Sequence, residues 1–468
     1  MKIAIVGISL IALAMPIGIS IAAQGQAQGQ APGQGQGRGG PSGGRGPAAV
    51  LPEAPTAVPL PAVSGPISGP GGMYESVQSL APGGDLATFK YEAKEYFITG
   101  TAQGQPYKTR IVVRKPANNS KFSGLVLLEA MHPSGSAHMF EFTAIYAMTS
   151  GHAAVEIQPS GGLPLVVAGN PERYKDLAAA PVQTNEIIAQ VGALVKSKDP
   201  SSPFAGQPVR KIVLAGTSAT AATLIGYLNA HMIYRTPDMQ RIYDGFMPTS
   251  NGSVIRPIDV PLVHVPTMHE VQGANITTRP DGDAPGDQYR LYAFPGMGHV
   301  DSRDNVRLLP NPCANSLDTF PAQAYMSVAL DYLYQWVDKG IAPPKADRVV
   351  KEGTAVALDG RGNWKGGIRT PYLDVPVAKY AAPNRGAATL PAKPSAYVAA
   401  NGQRGAEQMC GLSAYQVDFT KEELKQLYGD KKTFQKNFEK RLAELEKAGW
   451  SLPMYKNMIL GDAKKVAF

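Results

Sequence analysis

The sequence predicts an α/β fold built on a mostly parallel central sheet, and three observations carry that prediction. Short apolar runs at 124–130, 153–157, 212–214, 262–268 and 289–294 read as strands, several of them buried on both faces. Longer stretches with apolar residues at helical spacing lie between them, and alternating strand and helix is the pattern of a parallel sheet. The third is the turn Gly216-Thr217-Ser218-Ala219-Thr220, which leads from a buried strand straight into a helix with a serine at its tip.

The 468 residues divide by composition. Residues 1–23 carry one charge, Lys2, before a long apolar stretch that ends in small residues, which predicts a signal peptide cleaved after Ala22 or Ala23. Its alternative is a retained anchor, since about 19 apolar residues just span a bilayer. Residues 24–72 are rich in Gly, Gln and Pro, have little to bury, and are expected to form a disordered linker.

The core is expected over 73–341. It opens with two antiparallel strands at 89–99 and 107–115, followed by the buried strand 124–130, a helix over 140–148 and the strand 153–157. A helix over 181–196 precedes the serine turn, and a further strand is expected to end at Asp244. The strands 262–268 and 289–294 are read as separated by a polar loop, 271–287, and a helix follows over 322–337. From 342 to 468 the text turns Pro-rich, with short strands and amphipathic helices at 421–428 and 431–448, the latter capped by Gly449. This C-terminal extension is expected to pack on the core, because it shows no strand set of its own.

Charge and cysteine use narrow the function. The net charge of +8 is scattered, with no basic stripe, which argues against nucleic-acid binding and leaves a mild bias toward anionic surfaces or substrates. No later run is apolar enough for membrane insertion once the leader is removed. The two cysteines, Cys313 and Cys410, are expected to form a disulfide in an exported protein, closing a loop of about a hundred residues. His132, His138, His152, His264 and His269 form no HxH or HExxH pattern, so no metal is expected, and no glycine-rich phosphate loop points to a nucleotide cofactor.

A serine hydroxyl needs a general base, itself oriented by a carboxylate, to act as a nucleophile. Ser218 sits at the turn, with Gly216 meeting the demand for a small residue and Thr220 meeting it only in part. Four histidines follow: His231 is on or just after the next helix, His264 sits within the 262–268 strand and His269 just after it beside Glu270, and His299 lies in Pro295-Gly296-Met297-Gly298-His299 after the last strong strand. That loop opens at the carboxyl edge of the sheet, as the serine turn does, so His299 is the predicted base. Glu270 is the predicted acid, with Asp244 as the alternative and Asp259 and Asp301 behind it. The oxyanion is expected to meet the backbone N–H of Ala219 and one from the loop after the early strand, that of Met131 or His132. The His132 imidazole is expected to have a structural role, with a side-chain reach to the substrate as the alternative.

Several phrases recur together in one order: Glu95-Tyr96-Phe97-Ile98-Thr99-Gly100, Phe122-Ser123-Gly124-Leu125-Val126, the serine turn, Tyr243-Asp244-Gly245, Gly298-His299 and Gly366-Gly367-Ile368-Arg369-Thr370-Pro371. From about residue 75 to the C-terminus the chain resembles a family of exported bacterial α/β-hydrolase domain-containing proteins. The resemblance implies an α/β-hydrolase fold and a triad matching Ser218, Glu270 and His299. It departs from the usual family text at Ala219-Thr220 and at Ala130-Met131-His132. The combined expectation is a periplasmic or secreted serine hydrolase, without cofactor, that cleaves small or polymeric carboxylic esters through an acyl-enzyme. A carbohydrate or polyester esterase, a peptidase or lactonase, and an inactive binding protein on the same scaffold are the alternatives.

Overall fold

The computed structural model describes residues 51–468 except Glu53, 274–277 and Asp304. The predicted signal peptide and the first part of the predicted linker lie outside the described residues. The strands are β1 (Thr56–Ala57), β2 (Ala62–Ser64), β3 (Tyr91–Ala102), β4 (Gln105–Pro116), β5 (Leu125–Ala130), β6 (Ala153–Ile157), β7 (Lys211–Thr217) and β8 (Tyr234–Arg235). They continue as β9 (Gly245–Thr249), β10 (Leu262–His264), β11 (Gly282–Ala284) and β12 (Asp287–Leu291). The helices that cover or complete the sheet are α1 (His138–Thr149), α2 (Leu163–Gly169), α3 (Pro171–Tyr174), α4 (Thr184–Lys196), α5 (Ala219–His231), α6 (Met268–Gly273) and α7 (Ala322–Lys339). Beyond them come α8 (Pro371–Asp374), α9 (Ala396–Gly411), α10 (Lys421–Tyr428), α11 (Lys431–Lys447) and α12 (Lys456–Lys465).

Among the described residues one sheet runs in the order β11-β12-β10-β9-β7-β5-β6-β4-β3-β2. Its centre, from β6 to β12, is parallel, and its edges are closed by antiparallel pairs. Successive side chains point to opposite faces, so each central strand feeds two apolar layers. Leu125, Leu127, Val213 and Ala215 enter the layer under α1 and α7, while Val126, Leu128, Ile212 and Leu214 enter the layer under α4 and α5. Helix α11 sends Phe434, Phe438, Leu442 and Leu445 into the same layer as Tyr325, Leu330 and Leu333 of α7. Burying each such side chain stabilises by roughly 1.5–3 kcal/mol, so the C-terminal stretch is bound into the core by one apolar stripe.

Three stretches differ from expectation. The predicted linker extends to residue 72, yet β1 pairs with β8, β2 pairs with β3, and Val58 is 2% exposed. Edge strands with free backbone groups recruit Val58 and Val63 here, a long-range effect that composition does not reveal. The predicted polar loop 271–287 opens with the end of α6 and contains β11, which pairs antiparallel with β12. The predicted strand 262–268 stops at His264, because Pro266 cannot continue a ladder and the chain turns into α6.

Cys313 and Cys410 are bonded, with Cα atoms 5.5 Å apart across a sequence separation of 97. The bridge ties the segment after the His299 loop to α9. Replacing both by serine, C313S/C410S, is expected to cost roughly 4–5 kcal/mol on the chain-entropy argument. A urea unfolding curve read by circular dichroism checks this; an unchanged midpoint refutes it.

Candidate active site

Ser218 occupies the junction of β7 and α5 with φ 54° and ψ −117°, a strained conformation for a residue with a Cβ. Its N–H donates to Thr249 O at 3.1 Å, which ties the turn to the end of β9. A Cβ on Gly216 would meet Thr220 O at 2.4 Å, so only glycine fits two residues before the serine. Thr220 fits two residues after it, because its side chain folds back: Oγ1 donates to Thr217 O and accepts from Thr217 N–H, both at 2.9 Å. The hydroxyl thus braces the turn that a second glycine leaves open.

His299 arrives on the loop after β12. Gly296 has φ 101°, and a Cβ on Gly298 would come within 2.8 Å of Ala414 N, so both glycines are required by the path of the loop. The loop is held by Val300 N–H on Leu412 O at 2.9 Å and by His299 N–H on His269 Nδ1 at 3.0 Å. His299 Nε2 lies 2.9 Å from Ser218 Oγ, and its Nδ1 lies 2.5 Å from Glu270 Oε1.

Glu270 stands in the first turn of α6. Its Oε2 accepts from Thr267 N–H at 2.8 Å and from Thr267 Oγ1 at 2.6 Å, reaching back as the glutamate of a capping box does. Burial raises the pKa of this carboxyl, but the bonds from His299 and Thr267 outweigh it and hold the group at about 2. Ionised Glu270 accepts from Nδ1–H, which leaves the Nε2 lone pair of His299 facing the serine hydroxyl.

The structure brings Ser218, His299 and Glu270 together and sends the other acids elsewhere. Asp244 precedes β9 instead of ending a strand, so it lies at the amino edge of the sheet, opposite the site. There it accepts from Ile212 N–H at 2.9 Å and pairs with Lys196 at 2.9 Å and Lys211 at 3.6 Å. Asp259 is bound to His231 and Arg241, and Asp301 accepts from Arg303 N–H. His264 is buried between Tyr289 OH and Asn251 O.

The expected oxyanion donors divide. Ala219 is the first residue of α5, where a helical N–H has no intrahelical acceptor. The backbone N–H groups of Met131 and His132 are already committed, the first to Ile157 O at 2.8 Å and the second to Ser136 O at 3.0 Å. Met131 still extends the ladder between β5 and β6, so neither can serve in this conformation. The parts played by two residues of the site are set by the tertiary structure. Thr267 has a recoverable signal, the Thr267-x-x-Glu270 spacing of a helix start; His269, which anchors the His299 backbone, has none. Burial pushes the His269 imidazole down to about 4, so it stays neutral and accepts at Nδ1.

A cavity of about 350 Å³ opens beside the turn, lined by Met131, Pro133, Ser160, Gly161, Thr220 and Thr223 among others. Among the described residues no group of three His, Cys, Asp or Glu side chains is placed to hold a metal ion, and no helix is long and apolar enough to cross a membrane.

A family profile described as an alpha/beta hydrolase domain matches residues 58–460. Among solved structures the chain is similar to a cold-adapted esterase from an Arctic intertidal metagenomic library, at 13% identity and a TM-score of 0.26, over 43% of this chain and 83% of that one. It is also similar to a thermostable esterase from Pseudomonas putida ECU1011, at 13% identity and a TM-score of 0.26, over 39% and 65% of the two chains. A substituted form of the esterase rPPE matches at 12% identity and a TM-score of 0.34, over 54% and 85%. No curated protein matches the chain.

Proposed function

The chain belongs to the alpha/beta hydrolase domain family, and from that premise we propose that it is a serine esterase acting through a Ser218–His299–Glu270 triad. The observation that carries the proposal is the unbroken hydrogen-bond series from Glu270 Oε1 through both nitrogens of His299 to Ser218 Oγ. Ser218 Oγ attacks the ester carbonyl carbon as His299 Nε2 takes the hydroxyl proton, and Glu270 stabilises the imidazolium. The carbonyl oxygen becomes an anion that accepts from Ala219 N–H. The C–O bond to the alcohol then breaks, and the alcohol leaves with the proton from His299, giving the acyl-enzyme. Water, deprotonated by His299, attacks the acyl carbon; the acid departs and Ser218 Oγ recovers its proton.

The Cys313–Cys410 disulfide supports a periplasmic or secreted site of action. The partner in this reading is an ester, small or polymeric, and not nucleic acid. Peptidase and lactonase activities use the same residues, and a substrate panel separates them. A fluorophosphonate probe together with short p-nitrophenyl esters tests the proposal. The expected result is a single covalent label on Ser218 and ester turnover by the wild type. Neither label nor turnover, under conditions where a known esterase shows both, overturns it in favour of a binding protein.

A further inference from the structure

A tetrahedral oxyanion is stabilised by more than one preorganised donor in most acyl-transfer sites, and the backbone here supplies Ala219. Strands β5 and β7 pair with Glu129 opposite Ala215. The two strands are parallel and end at the same edge of the sheet, so the loop that carries His132 opens beside the turn that carries Ser218, and Met131, Pro133 and Thr220 line one cavity there. In this loop the N–H groups of Met131 and His132 are committed to Ile157 O and Ser136 O, and that of Gly135 donates to His132 O at 2.8 Å. Pro133 has no N–H. The imidazole of His132 is a further donor that this loop carries.

That ring is held and its tautomer is set. Ser134 N–H donates to His132 Nδ1 at 3.1 Å, so Nδ1 is an acceptor and the proton resides on Nε2. Ser134 Oγ lies 2.8 Å from the same Nδ1 and 3.1 Å from His138 Nε2. His138 Nδ1 in turn lies 2.7 Å from Glu141 Oε2, and Glu141 Oε1 accepts from Gln78 N–H at 2.6 Å and Ser79 N–H at 3.0 Å. Arg307, from the segment after His299, donates to Ser134 O and Ser136 Oγ, each at 3.1 Å, and pins the loop from the other side. His132 Nε2 has no hydrogen-bond partner among the described residues, and it is not one of the fully enclosed atoms left without one. It is therefore a donor open to an incoming group.

We propose that His132 Nε2–H is the second donor to the oxyanion formed when Ser218 attacks the carbonyl. This rests on Ser218 being the nucleophile of an ester hydrolase. Burial, reinforced by the neighbouring His138, Arg307 and His299, pushes the His132 imidazole down to about 3, so the ring is neutral at working pH. A neutral imidazole donates to a carbonyl oxygen without giving up its proton. It also places no standing positive charge near His299, which must accept a proton in the same step. The arrangement replaces the backbone donor that β-ladder pairing takes away at Met131.

The test compares wild type, H132F and H132Q on p-nitrophenyl butyrate, with S218A as the control. H132F keeps a ring and loses the donor; it is expected to lose about 10²–10³-fold in kcat with KM little changed. H132Q restores an N–H and should recover part of that loss. The acid limb of the kcat profile should stay in place in both variants, because His132 does not titrate there; a displaced limb would mark it as a base and overturn the proposal. A folded H132F with wild-type kcat also overturns it, whereas a wild type without ester turnover defeats the esterase reading instead. A second measurement needs no substitution. In ¹⁵N-imidazole NMR of the wild type, a short alkyl trifluoromethyl ketone that forms the hemiketal on Ser218 should move the His132 Nε2–H proton downfield. Hemiketal formation with that proton unmoved sinks the assignment even if the variants do not fold.

Discussion

S218A is expected to lower kcat for a short p-nitrophenyl ester by about a million-fold, and H299A by a similar factor. The double variant S218A/H299A should be no slower than either single one. The reason is geometric: His299 Nε2 lies 2.9 Å from Ser218 Oγ, and in the proposed mechanism the two groups act as one proton-transferring nucleophile. Once either is removed, the other has no role, and what persists comes from substrate binding and the oxyanion donors. Single-turnover kinetics on purified variants, with circular dichroism to establish the fold, decide this. Losses that multiply in the double variant, or an S218A rate near wild type, would disprove the assignment.

E270Q is expected to cost about ten-thousand-fold in kcat while leaving the fold and KM nearly intact. The argument runs through Thr267. Its N–H and Oγ1 both donate to Glu270 Oε2 at 2.8 and 2.6 Å, so the oxygen of the new amide must turn toward them. The amide nitrogen then faces His299 Nδ1, which becomes an acceptor, and the imidazole proton moves to Nε2. In that tautomer His299 presents a donor to Ser218 and cannot take its proton. Proton NMR of the E270Q imidazole should show the exchanged tautomer beside the lost turnover. A substitution that removes only charge, with the tautomer kept, should cost far less. The same bonds make Glu270 a stabilising group: its carboxyl is held at about 2, against 4.5 for the ordinary carboxyl. Its contribution is complete above the higher of those values and is lost as pH falls through the lower.

Ser218, His299 and Glu270 were legible because each sits in a local pattern: a small-residue turn after a strand, a glycine-rich loop, a short step beyond an apolar run. Asp244 was misplaced as a strand end by a boundary error of a few residues. Shifting where β9 begins moves that carboxylate from one edge of the sheet to the other. Met131 and His132 were reasonable oxyanion donors by position, yet Ile157 and Ser136 already hold their N–H groups. Residues 51–72 read as linker because composition records what a segment can bury alone, not which strand edge is open to it.

By itself the sequence determined the buried strands, the strained turn at Ser218 and the side chains able to meet there. Periodicity, glycine placement and side-chain chemistry are local properties. Only the tertiary structure decided that Thr267 holds the Glu270 carboxylate and His269 the His299 backbone, that Thr220 braces the turn, and that the backbone N–H groups of Met131 and His132 are taken while the His132 imidazole is fixed through Nδ1. Those outcomes depend on which hydrogen-bonding groups are already taken, and for Met131 and His299 the partners, Ile157 and His269, lie more than twenty residues away and arrive only when the strands meet.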